Sequence, residues 1–455
     1  MTGIWVAIFV RLVPVIVLLY VLAAVCQAPG ALYLSVIDPH ASPRLIGVMN
    51  WATLGVVIAG YLAHRGRSSR RSSGRTAQPL TSHGSAGWGT GQALRSRRGY
   101  VLGRHGRDAL RLDGEGHILT LAPTGAGKGV SAVIPNLLTH PGSVLVTDPK
   151  GENYRVTARR RREMGQRVLA LDPFDVVGGD ASFNPLEGLD HAGPDAVDDA
   201  MRLAELLVVE SRHETADSTF WQEECKALLA GLILHVASTE SVTRRNLAIV
   251  WEYLSLPPRE LTKLWNAMLK SSAAGGAVAR AAARLRQKAD RVRSGILAQA
   301  QSHTHFLESP RLARVLHHSS FGFEDLKSQR VTLYLVVPPD RLDSARRWLR
   351  LMVGCAVHAL TRVPGLPSER VLMLLDEFPS LGRLGPVERA FALARGYGIT
   401  LWLLAQDFAQ LQLTYPISWR SFYAGADVLQ ALANNTWPTA PERAAPVLSV
   451  GPTLR

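Results

Sequence analysis

The eight residues Ala122-Pro-Thr-Gly-Ala-Gly-Lys-Gly129 constrain this chain more than any other stretch. They follow a short apolar run, His117-Ile-Leu-Thr-Leu-Ala122, and precede Gly129 to Leu138, where apolar residues recur at near-helical spacing. A Gly-rich turn carrying one lysine between a strand and a helix is the context of a phosphate-binding loop. Gly125 and Gly127 let the backbone turn its N–H groups toward phosphate oxygens. The helix start near Gly129 adds the positive end of its dipole, and Lys128 can reach the terminal phosphates. Thr124, Gly125, Ala126, Gly127, Lys128, Gly129 and Val130 are therefore the candidate nucleotide-binding residues, with ATP the expected ligand. Ala122 stands where a first glycine is usual, and Gly129 where Ser or Thr would give Mg²⁺ a hydroxyl. Magnesium is then expected to lean on water and on Asp376. Pro135 is expected to kink the helix. Taken alone, the turn could also be a plain strand–helix loop.

The second half of the site is expected in Val371-Leu-Met-Leu-Leu-Asp-Glu377, an apolar strand delivering two carboxylates at its C-terminal end. Asp376 would hold the metal, and Glu377 would orient or deprotonate an attacking water. Gln406 ends the strand Leu401 to Leu404, beside Asp407, and could sense the terminal phosphate or orient water. Arg395 could reach a neighbouring subunit's nucleotide, or be a solvated surface charge. Two histidine pairs, His303/His305 and His317/His318, lack acidic or Cys partners at metal-ligand spacing.

Further apolar runs at Val144–Thr147, Arg167–Leu171 and Val331–Val337 suit buried strands of a parallel sheet, separated by helical stretches. The expected class is α/β, with helices on both faces. Residues 92–189 and 326–430 are the two parts of that domain. Between them, 190–325 is rich in Ala, Leu, Arg and Glu and is expected to be an all-α insertion, with helices at Ala196–Val209, Phe220–Ala237, Pro258–Lys270 and Ala277–His303.

The N-terminus differs. Ile4–Val25 and Leu45–Ala63 are apolar runs long enough to span a bilayer, so 1–64 is expected to be a two-helix membrane anchor. A signal peptide is the rival reading of the first run. From Arg65 to Arg111 there are eleven arginines and one acidic residue, Asp108. That asymmetry keeps this flank in the cytoplasm, and 65–91 reads as a flexible basic linker. The net charge of +14 implies a polyanionic partner, nucleic acid or an anionic membrane face, unless the arginine content is a habit of the source organism. Three scattered cysteines, Cys26, Cys225 and Cys355, argue against a disulfide framework or zinc site.

Several blocks, in order, resemble the TraG-type coupling proteins of conjugation and type IV secretion: Leu121–Val130, Thr147-Asp-Pro-Lys-Gly-Glu152, Leu171-Asp-Pro-Phe174, Ser182-Phe-Asn-Pro-Leu186, Leu374–Arg383, Gly396-Tyr-Gly-Ile399 and Leu401–Asp407. The resemblance covers about Thr90 to Gln430. It implies a RecA-like motor domain with an all-α insertion and a membrane stem in the bacterial inner membrane. It further implies a homo-hexamer with ATP between subunits, transferring single-stranded DNA or a relaxase–DNA complex to type IV secretion channel proteins. Lys128, Asp376, Glu377, Arg395 and Gln406 fall at the family's catalytic positions. Asp148, Lys150 and Glu152 match a family block without an assigned role. From Ala431 the chain departs from the pattern, so 431–455 is a divergent tail, and a truncation or frameshift near residue 431, leaving an exposed sheet edge, is expected. An inactive membrane docking platform for relaxase or effector proteins remains the alternative to a motor. A chromosome-segregating type of translocase is disfavoured by the Asp-Pro-Lys-Gly-Glu block.

Overall fold

The computed structural model describes residues 96, 98–105, 107–209, 216–432 and 447–450. Both expected membrane spans and the 65–91 linker lie outside them. No helix among the described residues is long and apolar enough to cross a membrane.

The core is an eight-stranded sheet with order β10-β9-β3-β8-β7-β4-β6-β5. Its strands are β3 His117–Leu121, β4 Val144–Asp148, β5 Arg167–Leu171, β6 Val331–Val336, β7 Val371–Leu375, β8 Ile399–Ala405, β9 Ala426–Leu432 and β10 Val447–Val450. Every neighbouring pair is parallel. Alternate residues of one strand enter different cores. Ile118, Val146, Leu374, Trp402 and Leu404 pack on one face. Leu119, Leu145, Met373, Leu401 and Leu403 pack on the other. A strand with both faces buried has no reason to alternate in polarity, which is why these segments are continuous apolar runs.

Four strands escaped the sequence reading. β9 and β10 occupy the edge expected to be bare: β10 pairs outside β9, so the strand edge next to residue 431 is covered. A separate antiparallel pair, β1 Tyr100–His105 and β2 Asp108–Leu112, sits in the arginine-rich flank. It is tied to helix α1 (Ile134–Thr139) through Asn136, whose buried side chain accepts from Val101 N at 2.8 Å and donates to Val101 O at 2.8 Å.

Between β5 and β6 the described elements are all helical. They are α3 Ala196–Leu207, α4 Ala216–Thr239, α5 Leu247–Leu254, α6 Pro258–Leu269, α7 Ala273–Arg286, α8 Asp290–Thr304, α9 Pro310–Val315 and α10 Asp325–Ser328. They share one apolar core with the sheet face of Leu119 and Leu145. The single helix expected over 277–303 is two helices. The backbone turns extended at Ala289, and Asp290 opens α8 with an acid in its first turn. At the break, Lys288 and Arg284 converge on Glu224 of α4, at 2.8 and 3.0 Å. The remaining helices, α2 Glu152–Glu163, α11 Leu342–Arg362, α12 Gly385–Leu393, α13 Phe408–Thr414 and α14 Trp419–Gly425, connect the strands.

Candidate functional site

β3, β8 and β7 lie side by side in the same direction, so their C-terminal ends form one edge. From that edge come the phosphate-loop candidate, Gln406, and the acids Asp376 and Glu377. The ladder continues into the loop, with Ala122 N donating to Ala405 O at 2.9 Å. The chain then turns through Gly125 and Gly127, at φ 83° and 78°. Only glycine holds such angles without strain. Ala126 N donates to Pro123 O at 3.1 Å, closing the turn. A Cβ at Gly125 or Gly129 would meet no atom within 4 Å, so the loop borders open space.

The helix after the loop does not kink at Pro135 as expected. It starts as a π-helical turn, Gly129–Val133, with Ile134 N donating to Gly129 O. Pro135 then falls in the first turn of α1, where its missing N–H costs nothing. The wide turn takes up the register change ahead of the proline.

Lys128 Nζ stands 2.9 Å from Asp376 Oδ1 and also contacts Glu377 Oε1. Gln406 Nε2 donates to the other Glu377 oxygen at 3.1 Å. Gln406 is itself fixed: its N–H donates to Gln410 Oε1 at 3.1 Å, and Asp407 caps α13 by accepting from Gln410 N at 2.7 Å. Glu377 adopts the left-handed conformation, φ 51° and ψ 40°. For a glutamate this costs on the order of 1 kcal/mol or more, and such strain collects at functional turns. Here it aims the carboxylate between Lys128 and Gln406.

Burial pulls the Lys128 ammonium down, but Asp376 and then Glu377 outweigh it, and the net shift is up. Burial pushes the Asp376 carboxyl up; Lys128 opposes this without cancelling it. The lysine is therefore a firmly charged cation within reach of open space bordered by backbone N–H groups, a donor set that fits a polyphosphate. The fit to magnesium is narrower. Gly129 has no hydroxyl, and the Ser131 hydroxyl is committed to Gly127 O at 2.8 Å. Among the described residues no group of three or more His, Cys, Asp or Glu could hold a metal alone. Asp376 is the acid in place, and Mg²⁺ commonly takes one or two carboxylates together with substrate phosphates and water.

Sequence reasoning marked the block from Thr147 to Glu152 but gave no role to two contributors in it. The Thr147 hydroxyl accepts from Asp376 N at 2.7 Å and donates to Asp376 O at 3.1 Å, pinning the acid's backbone to β4. Asp148 is buried and accepts from Tyr154 N at 2.8 Å, with further backbone N–H groups at Asn153, Lys150 and Glu152. Burial raises its pKa against those hydrogen bonds. Asp148 thus anchors the start of α2, whereas Lys150 and Glu152 are exposed. The residue pattern alone marked the block without showing this capping role.

Arg395 does not join the others. It precedes β8, at the strand end opposite Gln406, and its guanidinium is paired with Asp427 of β9. With ~3.3 Å of rise per residue, the seven residues of β8 put it roughly 20 Å from Gln406 within one chain.

A family model described as type IV secretory system conjugative DNA transfer matches residues 63–435. The chain belongs to that family. One relative, a conjugal transfer protein TraG of Escherichia coli, is 33% identical over 345 residues, covering 71% of this chain and 54% of the relative. A type IV secretion system-coupling protein VirD4 of Bartonella quintana is 26% identical over 304 residues, covering 66% and 47%. The chain thus spans about half the length of the curated relatives it matches. Among solved structures, the bacterial conjugative coupling protein TrwB lacking its N-terminal segment, in complex with sulphate, superposes with a TM-score of 0.59 at 17% identity, covering 75% of this chain and 76% of that one. TrwB with ADP and Mg²⁺ gives 0.57 at 16% identity, with the same coverage. The family's α/β fold is common to both.

Proposed function

We propose that this chain is the motor of a conjugative coupling protein, binding ATP with Mg²⁺ at the Lys128 loop and hydrolysing it to drive DNA or DNA–protein substrates toward a type IV secretion channel. The carrying observation is the contact chain Lys128–Glu377–Gln406 across three adjacent strand ends, with Asp376 on the same lysine. Nucleotide-bound TrwB, a structural neighbour determined with ADP and Mg²⁺ and with an ATP analogue, supports the same reading.

In this reading Lys128 leaves the two carboxylates for the β- and γ-phosphates, and the loop N–H groups hold the same oxygens. Its departure frees Glu377 to orient and deprotonate water, while Gln406 keeps the carboxylate aimed. Magnesium would supply charge neutralisation at the phosphates, held on the protein side by Asp376. Arg395, far from its own chain's site, serves a neighbouring copy's nucleotide in a ring, for which we propose a homo-hexamer. That task requires it to leave Asp427. The apolar runs within residues 1–64 and the basic flank support anchorage in the inner membrane with the motor on the cytoplasmic side.

The test is steady-state ATP hydrolysis by the full chain, with and without single-stranded DNA. The motor reading expects Mg²⁺-dependent turnover that DNA stimulates and that Glu377→Gln removes. Turnover unchanged in Glu377→Gln would reject it.

A further inference from the structure

Arg395 sits on a short connection, and where it reaches depends on what holds that connection. The chain leaves α12 through a tight helical turn, Ala394–Tyr397, and enters β8 through Gly398 in the left-handed conformation, φ 74°. A Cβ at Gly398 would overlap the Pro367 ring, so the turn is closely packed there. Leu366, Leu393 and Tyr397, all near the turn, are exposed. Apolar residues grouped around a charged one suit contact with another protein surface.

Arg370, the residue before β7, holds the turn by hydrogen bonds. Its Nη2 donates to Arg395 O at 3.0 Å and to Ile399 O at 2.8 Å, and its Nε donates to Thr400 Oγ1 at 3.1 Å. Its Nη1 faces Glu115 at 3.8 Å. The next residue, Val371, donates its N–H to Gly398 O at 2.9 Å. The guanidinium thus ties the turn to the first two residues of β8, and its donors are committed there. A planar fork serves three such acceptors at once, which an ammonium does not. The Arg395 side chain is held differently. Among the described residues its guanidinium is paired only with Asp427, and the two side chains are 46 and 39% exposed. An ion pair this open to water is weak. A fixed backbone with a loosely tethered guanidinium lets the charge swing to another anion without moving its own Cα.

We propose that Arg370 is a positioning residue for Arg395: it locks the 394–398 turn, so that the Arg395 guanidinium projects from a fixed point toward phosphates held by a neighbouring copy of this chain. The proposal rests on the reading of Arg395 as serving a neighbour's nucleotide. It adds that the effect of Arg370 is felt in the adjacent subunit and not in its own site. Asp376 lies past the far end of β7 from Arg370, roughly 20 Å away at ~3.3 Å per residue, so the two do not meet within one chain.

The experiment is steady-state ATP hydrolysis by the full chain carrying Arg395→Ala, Arg370→Met or Arg370→Lys, each alone and in an equal mixture with the Glu377→Gln chain. The Glu377→Gln chain lacks the water-activating acid but offers a firmly held Arg395. Mixed assemblies therefore revive a partner whose defect lies in Arg395 or its support, and not one whose own site is damaged. Misplacing a catalytic group by about 1 Å costs on the order of 100-fold, so Arg370→Met should lower kcat by roughly 10- to 100-fold, and Arg370→Lys by less. KM for ATP should stay within about twofold, because the nucleotide loop is untouched. In the mixtures about a quarter of head-to-tail interfaces join an intact Glu377 to a firmly held Arg395, so turnover should rise to roughly a quarter of the parent's. Parent-like kcat in Arg370→Met would overturn the proposal and leave the motor reading intact. So would a slow Arg370→Met and Arg370→Lys that the Glu377→Gln chain fails to revive while it revives Arg395→Ala, since the damage would then lie in their own sites. A silent mixture of Arg395→Ala with Glu377→Gln, beside an active parent, would reject the role of Arg395 across subunits and this proposal with it. No turnover by the parent chain would reject the motor reading itself.

Discussion

Replacing Gln406 with alanine isolates one contact of the candidate site. The amide donates to a Glu377 carboxylate oxygen at 3.1 Å and to no other described group. Its backbone is held independently through Gln410 and the Asp407 cap, so truncating the side chain leaves the loop in place. A hydrogen bond to an ionised carboxylate contributes about 1.5–3 kcal/mol. If that energy orients Glu377 in the transition state, losing it slows turnover by about 10- to 150-fold, at ~1.4 kcal/mol per decade. The amide touches no loop residue, so nucleotide affinity should stay within about twofold, since Lys128 and the loop carry it. Steady-state hydrolysis in a coupled assay, beside titration with a fluorescent ATP analogue, separates the two quantities. A parent-like kcat, or a loss of affinity matching the loss of kcat, would refute the role given to Gln406.

Other consequences follow from single residues. Thr147→Val removes both bonds to the Asp376 backbone and leaves a buried N–H unpaired, a cost of about 2–3 kcal/mol. Hydrogen exchange of the peptide spanning 371–381 should accelerate by roughly 30- to 150-fold, and parent-like protection would contradict this. Arg161 is fully buried and donates to Thr332 Oγ1 at 2.7 Å, Gly142 O at 2.7 Å and the carbonyls of Leu137 and His140. Arg161→Met should destabilise the fold by about 3 kcal/mol, and Arg161→Lys should recover only part, because an ammonium cannot reach all four acceptors. Thermal unfolding reads both variants. Burial drops His140 from 6.5 to about 4. A depressed histidine is neutral when folded and takes up its proton on unfolding. Stability should therefore be complete above about pH 6.5 and fall as pH drops toward 4, by at most roughly 3 kcal/mol from this residue. His140→Gln, which can still donate to the Arg370 carbonyl, should flatten that part of the pH profile of the melting temperature.

The parallel strands were legible because burial on both faces makes apolar runs, and the loop because glycines and a lysine follow such a run directly. Asp376, Glu377 and Gln406 were legible because they directly follow strands, and Lys128 because its loop does; parallel strands gather those ends on one edge. What the sequence hid lies in pairing. β1 and β2 are short strands with arginines inside them, and nothing local reveals that Asn136 of a distant helix satisfies Val101. The capping role of Asp148 depends on α2 folding back over its carboxylate. The position of Arg395 shows the limit most clearly: its distance from Gln406 along the chain is short, but a strand lies between them and sets them at opposite sheet ends. The covered edge beside β9 came from a segment whose residues match no family block.

The central claim is that the Lys128 loop and the acids of β7 make one nucleotide site. The most direct measurement is calorimetric titration of the full chain with ATP in the presence of Mg²⁺, beside the Lys128→Ala variant. The account predicts saturable binding at one site per chain, with affinity at least about tenfold lower in the variant, since a lost contact from a charged group contributes about 1.5 kcal/mol or more. Absence of binding by the parent chain, or equal binding by the variant, would contradict it.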